Sequence, residues 1–154
     1  MMDQQDILDR TRRFAEVHGR RPRILLTAID QVGVDRRLKK LATQFADAGF
    51  NVDLNTGLQS PEHVARTAVE NDVHCVGLTG ISDRHRPLLQ RLSAAMDKEG
   101  GGDIAVVLWV DPDRSQDAPE AGENILVFTE DAPDPTAAGK LLDFLCRTVP
   151  SARP

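Results

Sequence analysis

Apolar positions along this chain alternate between two rhythms, short continuous runs and stripes at intervals of three and four. Between Asp3 and His18, the positions of Ile7, Leu8, Phe14 and Val17 suit one face of a helix that Gly19 ends. It precedes the first strand, so it reads as an appendage packing on its own domain or on a partner chain. Arg23 to Ile29 forms an apolar strand, and a tight turn at Gly33 leads to Asp35. That aspartate can cap a helix carrying Leu38, Leu41, Ala42, Phe45 and Ala48, with Gly49 as its stop. Phe50, Val52 and Leu54 alternate with Asn51 and Asp53, the pattern of a short edge strand. Ser60 caps a helix with Pro61 at its first position and Val64, Ala65, Ala68 and Val69 as its buried stripe. His74 to Leu78 is apolar after its first residue, as in a central parallel strand covered on both faces. Thr79, Gly80, Ile81 and Ser82 read as the turn that follows, and Asp83 can cap a helix carrying Leu88, Leu89, Leu92, Ala95 and Met96. Gly100 to Gly102 break it. Ile104 to Val110 is a fourth strand, followed by the polar stretch D-P-D-R-S-Q-D-A-P-E-A-G-E. Asn124 to Phe128 is a fifth strand, and Ala132 to Pro135 lead into a helix that buries Ala138, Leu141, Leu142 and Leu145.

Strands alternating with helices at this spacing imply an α/β fold: a doubly wound five-stranded parallel sheet, flavodoxin- or Rossmann-like, ordered 2-1-3-4-5 with helices on both faces. Residues 1–19 are assigned to a helical extension, 20–150 to the α/β domain and 151–154 to a tail. Sheets of this kind hold ligands at the carboxyl ends of their strands. The first strand-to-helix turn, Asp30, Gln31, Val32, Gly33, Val34, Asp35 and Arg36, is therefore the first candidate site, together with Thr79, Gly80 and Ile81. His85, in the first turn of its helix, lies near the same crevice and is assigned a surface or capping role ahead of a ligand role.

Composition narrows the function classes. A length of 154 residues suits one domain with a real core, and a net charge of -5 argues against a nucleic-acid surface. The stretch M-M-D-Q-Q-D-I-L-D-R has neither a basic start nor an apolar run, so no secretion signal or membrane span is read there and a cytoplasmic location is expected. Cys75 and Cys146 form no metal-ligand spacing or disulfide framework and read as packed thiols. His18 reads as a helix-end or solvated residue, and His63 as a surface one. Arg36, Arg37, Lys39 and Lys40 make a solvated basic face, or an anion site for phosphate or acyl-CoA beside a helix amino terminus. Asp30, Asp111 and Asp113 can gather at strand ends to hold Mg²⁺, or serve as a turn residue and parts of a solvated loop. A phosphoreceiver domain shares the sheet order, but its acceptor aspartate would fall where Thr79 stands.

The segments R-P-R-I-L, F-A-D-A-G-F-N-V-D and P-E-H-V-A-R-T-A-V-E-N-D-V-H-C-V-G-L resemble the cobalamin-binding domain of methylmalonyl-CoA mutase and related acyl-CoA mutases, and the similarity runs roughly from Arg20 to Thr148. In that family the first turn reads Asp-x-His-x-x-Gly, and the histidine becomes the lower ligand of cobalt. The matching positions here are Val32, Val34 and Arg37. A valine has no lone pair for a metal, and the carboxylate that would orient the histidine is absent. The family's Ser-x-Leu, which holds the displaced base of the nucleotide tail, corresponds to Thr79-Gly80-Ile81, a conservative change. Its paired glycines at the end of the fourth strand correspond to Trp109 and Val110, where an indole fills the space that glycine leaves for the tail.

The resemblance implies cobalamin as cofactor, while these departures imply weak or absent binding, base-on if it occurs. It also implies an acyl-CoA mutase large subunit or a related protein as partner, and leaves room for a small hydrophobic or CoA-like ligand in the crevice. The radical chemistry needs adenosylcobalamin and a separate barrel domain, so this chain alone is expected to catalyse nothing. Two readings follow: a non-catalytic interaction or regulatory module, or a cobalamin carrier that grips only the corrin face, with Val32 and Val34 as an apolar seat.

Overall fold

A computed structural model describes residues 4–27, 35–55, 60–81, 85–110, 124–129 and 137–148. Its elements in chain order are α1 (Gln4–His18), β1 (Arg23–Thr27), α2 (Asp35–Asp47), β2 (Asn51–Leu54), α3 (Pro61–Glu70), β3 (Cys75–Ile81), α4 (Arg86–Lys98), β4 (Ala105–Val110), β5 (Ile125–Thr129) and α5 (Ala137–Thr148). All five strands are parallel and lie in the order β2-β1-β3-β4-β5, the doubly wound sheet that the alternation of patterns predicts.

Side chains alternate across a strand, so the sheet sorts its apolar residues into two layers. Ile24, Leu26, Cys75, Val107 and Trp109 pack with Leu38 and Phe45 of α2 and Leu141 and Leu145 of α5. On the other face Leu25, Val76, Leu78, Leu108 and Val110 pack with Val64 and Ala68 of α3 and Leu92 and Met96 of α4. β2, with Val52 half-buried and Leu54 37% exposed, is the edge strand that its polar alternation implies. Arg23 and Asp53 join it to β1 by two hydrogen bonds of 2.7 and 2.9 Å.

Local chemistry sets several boundaries. The Ser60 hydroxyl accepts the His63 N–H at 3.1 Å and Pro61 opens α3, as its sequence predicts. Gly49 takes φ +98 after α2, and a Cβ there would lie 2.9 Å from Thr11 Cγ2 of α1. The Thr11 hydroxyl lies 2.8 Å from the carbonyls of both Ile7 and Ala48 and donates to one of them. Helix α1 thereby packs on its own domain, with Ile7 and Phe14 buried in the α2/α5 layer and Arg10 paired with Asp143 of α5.

Some expectations need correction. Val17 is 47% exposed, so it does not belong to the buried face of α1. Asp35 already lies within α2, which moves the cap position before it and outside the described residues. Strand β3 runs on through Thr79, Gly80 and Ile81, where a turn was expected, because Ile81 pairs with Val110 beyond a register irregularity. The residue at the cap position of α4 is His85, which makes no side-chain capping bond, and Asp83 lies outside the described residues. Leu88, Leu89 and Ala95 are only half-buried. Strands β4 and β5 each begin one residue later than expected.

Candidate functional site

The carboxyl ends of β1, β3 and β4 form the end of the sheet where the first candidate site was expected. Asp30, Gln31, Val32, Gly33 and Val34 lie outside the described residues, as do Asp111 and Asp113. Asp35 and Arg36 contribute the backbone of the first turn of α2, and Gly80 and Ile81 the backbone at the end of β3. Thr79, His85, Trp109 and Val110 are described with their side chains.

Trp109 and Val110 are sequence neighbours that face opposite ways. Val110 belongs to the α3/α4 layer, and Trp109 enters the α2/α5 layer. The indole is 5% exposed, stacks on Phe128 with ring centres 5.6 Å apart, and meets Phe45 edge-on at 5.9 Å. Its floor is Gly77 of β3: a Cβ there would lie 2.7 Å from Trp109 Cζ3 and 2.7 Å from Leu26 Cδ2. Real Cβ atoms do not approach side chains so closely, so the bare Gly77 makes room for the ring. The signal for Gly77 was present in the sequence, since a glycine inside an apolar strand marks close approach of another group.

Thr79 lies two residues beyond Gly77 on β3, at the level of Trp109 on β4. Leu78 pairs with Leu108 and Ile81 with Val110, so Thr79 and Gly80 together oppose Trp109 alone. Such a bulge re-aims side chains next to functional sites. Thr79 is fully buried, and its hydroxyl has no hydrogen-bond partner among the described residues. A buried orphan of this kind costs about 1–3 kcal/mol.

His85 is 2% exposed, which corrects the surface role expected for it. Cys75 is buried, and burial pushes its thiol pKa far above the ordinary range, so it is an inert packed thiol. Cys146 is exposed, contrary to expectation, and both cysteines are free. His63 is exposed as expected, whereas His18 is half-buried and stacks on Phe14 with ring centres 4.1 Å apart. Among the described residues no group of three or more His, Cys, Asp or Glu side chains is placed to hold a metal, and no helix is long and apolar enough to cross a membrane.

At the opposite end of the sheet lies a second polar site that sequence reasoning missed. His74, 8% exposed, accepts the Arg23 backbone N–H at 3.0 Å through Nδ1 and meets Phe14 edge-on at 5.1 Å. Burial, followed by the charges of Arg20 and His18, lowers its pKa to about 4. Its ring is neutral at pH 7, with the proton on Nε2.

Comparison with known proteins finds methylmalonyl-CoA mutases among the homologues of this chain. The methylmalonyl-CoA mutase of Cereibacter sphaeroides is 39% identical over 133 residues, 86% of this chain and 19% of that protein. That of Escherichia coli is 45% identical over 101 residues, 66% of this chain and 14% of the relative. The methylmalonyl-CoA mutase large subunit of Porphyromonas gingivalis is 37% identical over 134 residues, 86% of this chain and 19% of the relative. The chain thus spans about a fifth or less of the length of these curated relatives. No protein-family model matches it.

Proposed function

We propose, from the premise that the chain is a homologue of the methylmalonyl-CoA mutases in a segment consistent with their cobalamin-binding domain, that it works as a non-catalytic interaction or regulatory module of that family. The observation that carries this reading is the placement of Trp109. Its indole fills the sheet face between Phe45 and Phe128, at the position where the resemblance expects glycine and room for a nucleotide tail. The described residues therefore do not fit a deeply inserted tail. Reopening the slot would expose about 200 Å² of apolar surface at a cost on the order of 5 kcal/mol. That weakens tail insertion by roughly three to four decades.

Val34 compounds this effect, because it offers cobalt no lone pair. A kept scaffold with a closed slot suits docking on an acyl-CoA mutase large subunit or a related protein. Gel filtration of the purified chain with such a subunit from the same source should give co-elution. Two separate peaks at micromolar concentrations would sink the docking role.

One observation favours a second reading. The orphaned Thr79 hydroxyl stands where the resemblance expects contact with the tail base, so a bound group that completes it would remove a standing cost. A cobalamin carrier with the cofactor base-on is the form compatible with Trp109 in place. The visible spectrum after incubation with cobalamin and desalting distinguishes the two: retained base-on colour supports the carrier, and a colourless protein dismisses it.

A further inference from the structure

We propose that a concavity at the amino-terminal edge of the sheet, remote from the crevice above, binds a small zwitterion bearing an ammonium and a carboxylate, of the α-amino acid type. The concavity holds about 400 Å³, within the size range of small-molecule sites. Val69, Val73 and Ile104 supply an apolar lining, and Gly100 leaves it open, since a Cβ there would meet nothing within 4 Å.

His74 provides the observation that points to a ligand. Its Nδ1 is taken by the Arg23 N–H, so the remaining proton sits on Nε2, and that donor has no hydrogen-bond partner among the described residues. The ring is more than nine-tenths buried and lines the concavity. A neutral N–H donor on a largely buried ring, itself open to a ready space, suits an acceptor oxygen.

Charge is graded across the space by the order of the strands. Arg20 and His18 precede β1, His74 and Asp72 precede β3, and Asp103 precedes β4 beside the carboxyl end of α4. The lining thus runs from cationic on the β1 side to anionic on the β4 side. The Arg20–Asp72 pair, at 3.5 Å with Arg20 half-buried and Asp72 largely exposed, is weak enough for a ligand carboxylate to share the guanidinium. A carboxylate would meet His74 Nε2–H and Arg20. An ammonium would meet Asp103 and the negative end of the α4 dipole. Burial and the charge of Arg20 hold His74 neutral, so a carboxylate bound beside it should raise its pKa.

NMR of the isotopically labelled full chain, following the His74 ring while L-valine is added, tests the site. Isobutyrate and isobutylamine serve as probes carrying only one of the two charges. Valine should shift the His74 signals saturably and raise the ring's pKa, with either half-molecule binding at least about tenfold more weakly. Arg20→Gln, at a half-buried position, and Asp103→Asn, at an exposed one, should each weaken valine by a similar factor. No saturable shift with valine would overturn the proposal. So would isobutyrate binding as well as valine, or binding unchanged in both variants.

Discussion

Replacing Trp109 with alanine removes the largest side chain of the α2/α5 layer from between Phe45 and Phe128. Area alone puts the loss near 5 kcal/mol, and measured aromatic-to-alanine changes in cores run about 3–5 kcal/mol. Gly77→Ala perturbs the same place from below, because its methyl would start 2.7 Å from both Trp109 Cζ3 and Leu26 Cδ2. Overpacking of that kind costs about 1–3 kcal/mol. With the indole gone, one of the two clashes disappears and the methyl occupies vacated space. The double mutant should therefore be more stable than the sum of the single effects by about 1–2 kcal/mol. Urea unfolding followed by circular dichroism measures all four corners, since Trp109 is the only tryptophan and its fluorescence is lost in two of them. Effects that add to within about 0.5 kcal/mol would mean that Gly77 does not seat the indole. A loss below about 1 kcal/mol for Trp109→Ala would mean that the ring is not the packed plug described here.

Other expectations follow from single features. Thr79→Val keeps the shape and removes the unpaired hydroxyl, so it should stabilise the free chain by about 1 kcal/mol in urea; destabilisation of that size would show that the hydroxyl has a partner. His74, with its pKa lowered from 6.5 to about 4, makes the unfolded chain bind more protons between those values. Stability should fall as pH drops from about 6.5 and level off near 4, by about 3 kcal/mol in all, and a flat profile for that histidine's contribution would contradict its burial. Ser60→Ala should cost about 1 kcal/mol by releasing the His63 N–H, and a melting temperature equal to that of the wild type would deny the cap.

The sheet was legible because β3 and β4 are continuous apolar strands and the helices between strands carry their stripes at helical intervals. The alternation limits the sheet to the common doubly wound orders, of which the expected 2-1-3-4-5 is the one found. The exact end of β3 was not legible, since T-G-I-S has the composition of a turn, and only the pairing of Ile81 with Val110 across a bulge makes it strand. Trp109 could be named from the sequence as the residue standing at the expected slot, but not its direction, because neighbours on a strand face opposite layers. Gly77, which makes room for the ring, signals close approach of another group from within an apolar strand but does not by itself say which group approaches. His85 was misjudged because its helix starts later than the Asp83 cap implied, which moves the ring from the first turn to the helix entrance. His74 looked unremarkable at a strand end, and only the fold brings Arg23, Phe14 and Arg20 around it.

The most direct test of the closed slot is equilibrium binding of hydroxocobalamin and adenosylcobalamin, followed by visible absorbance, to the wild type and to a Trp109→Gly/Val34→His double mutant. With the indole closing the slot and no imidazole for cobalt, the wild type should bind neither form tightly, while the double mutant should bind and show an imidazole-ligated spectrum. Tight binding by the wild type with the nucleotide base off the metal would contradict the account, because the tail would then have entered a space that Trp109 fills.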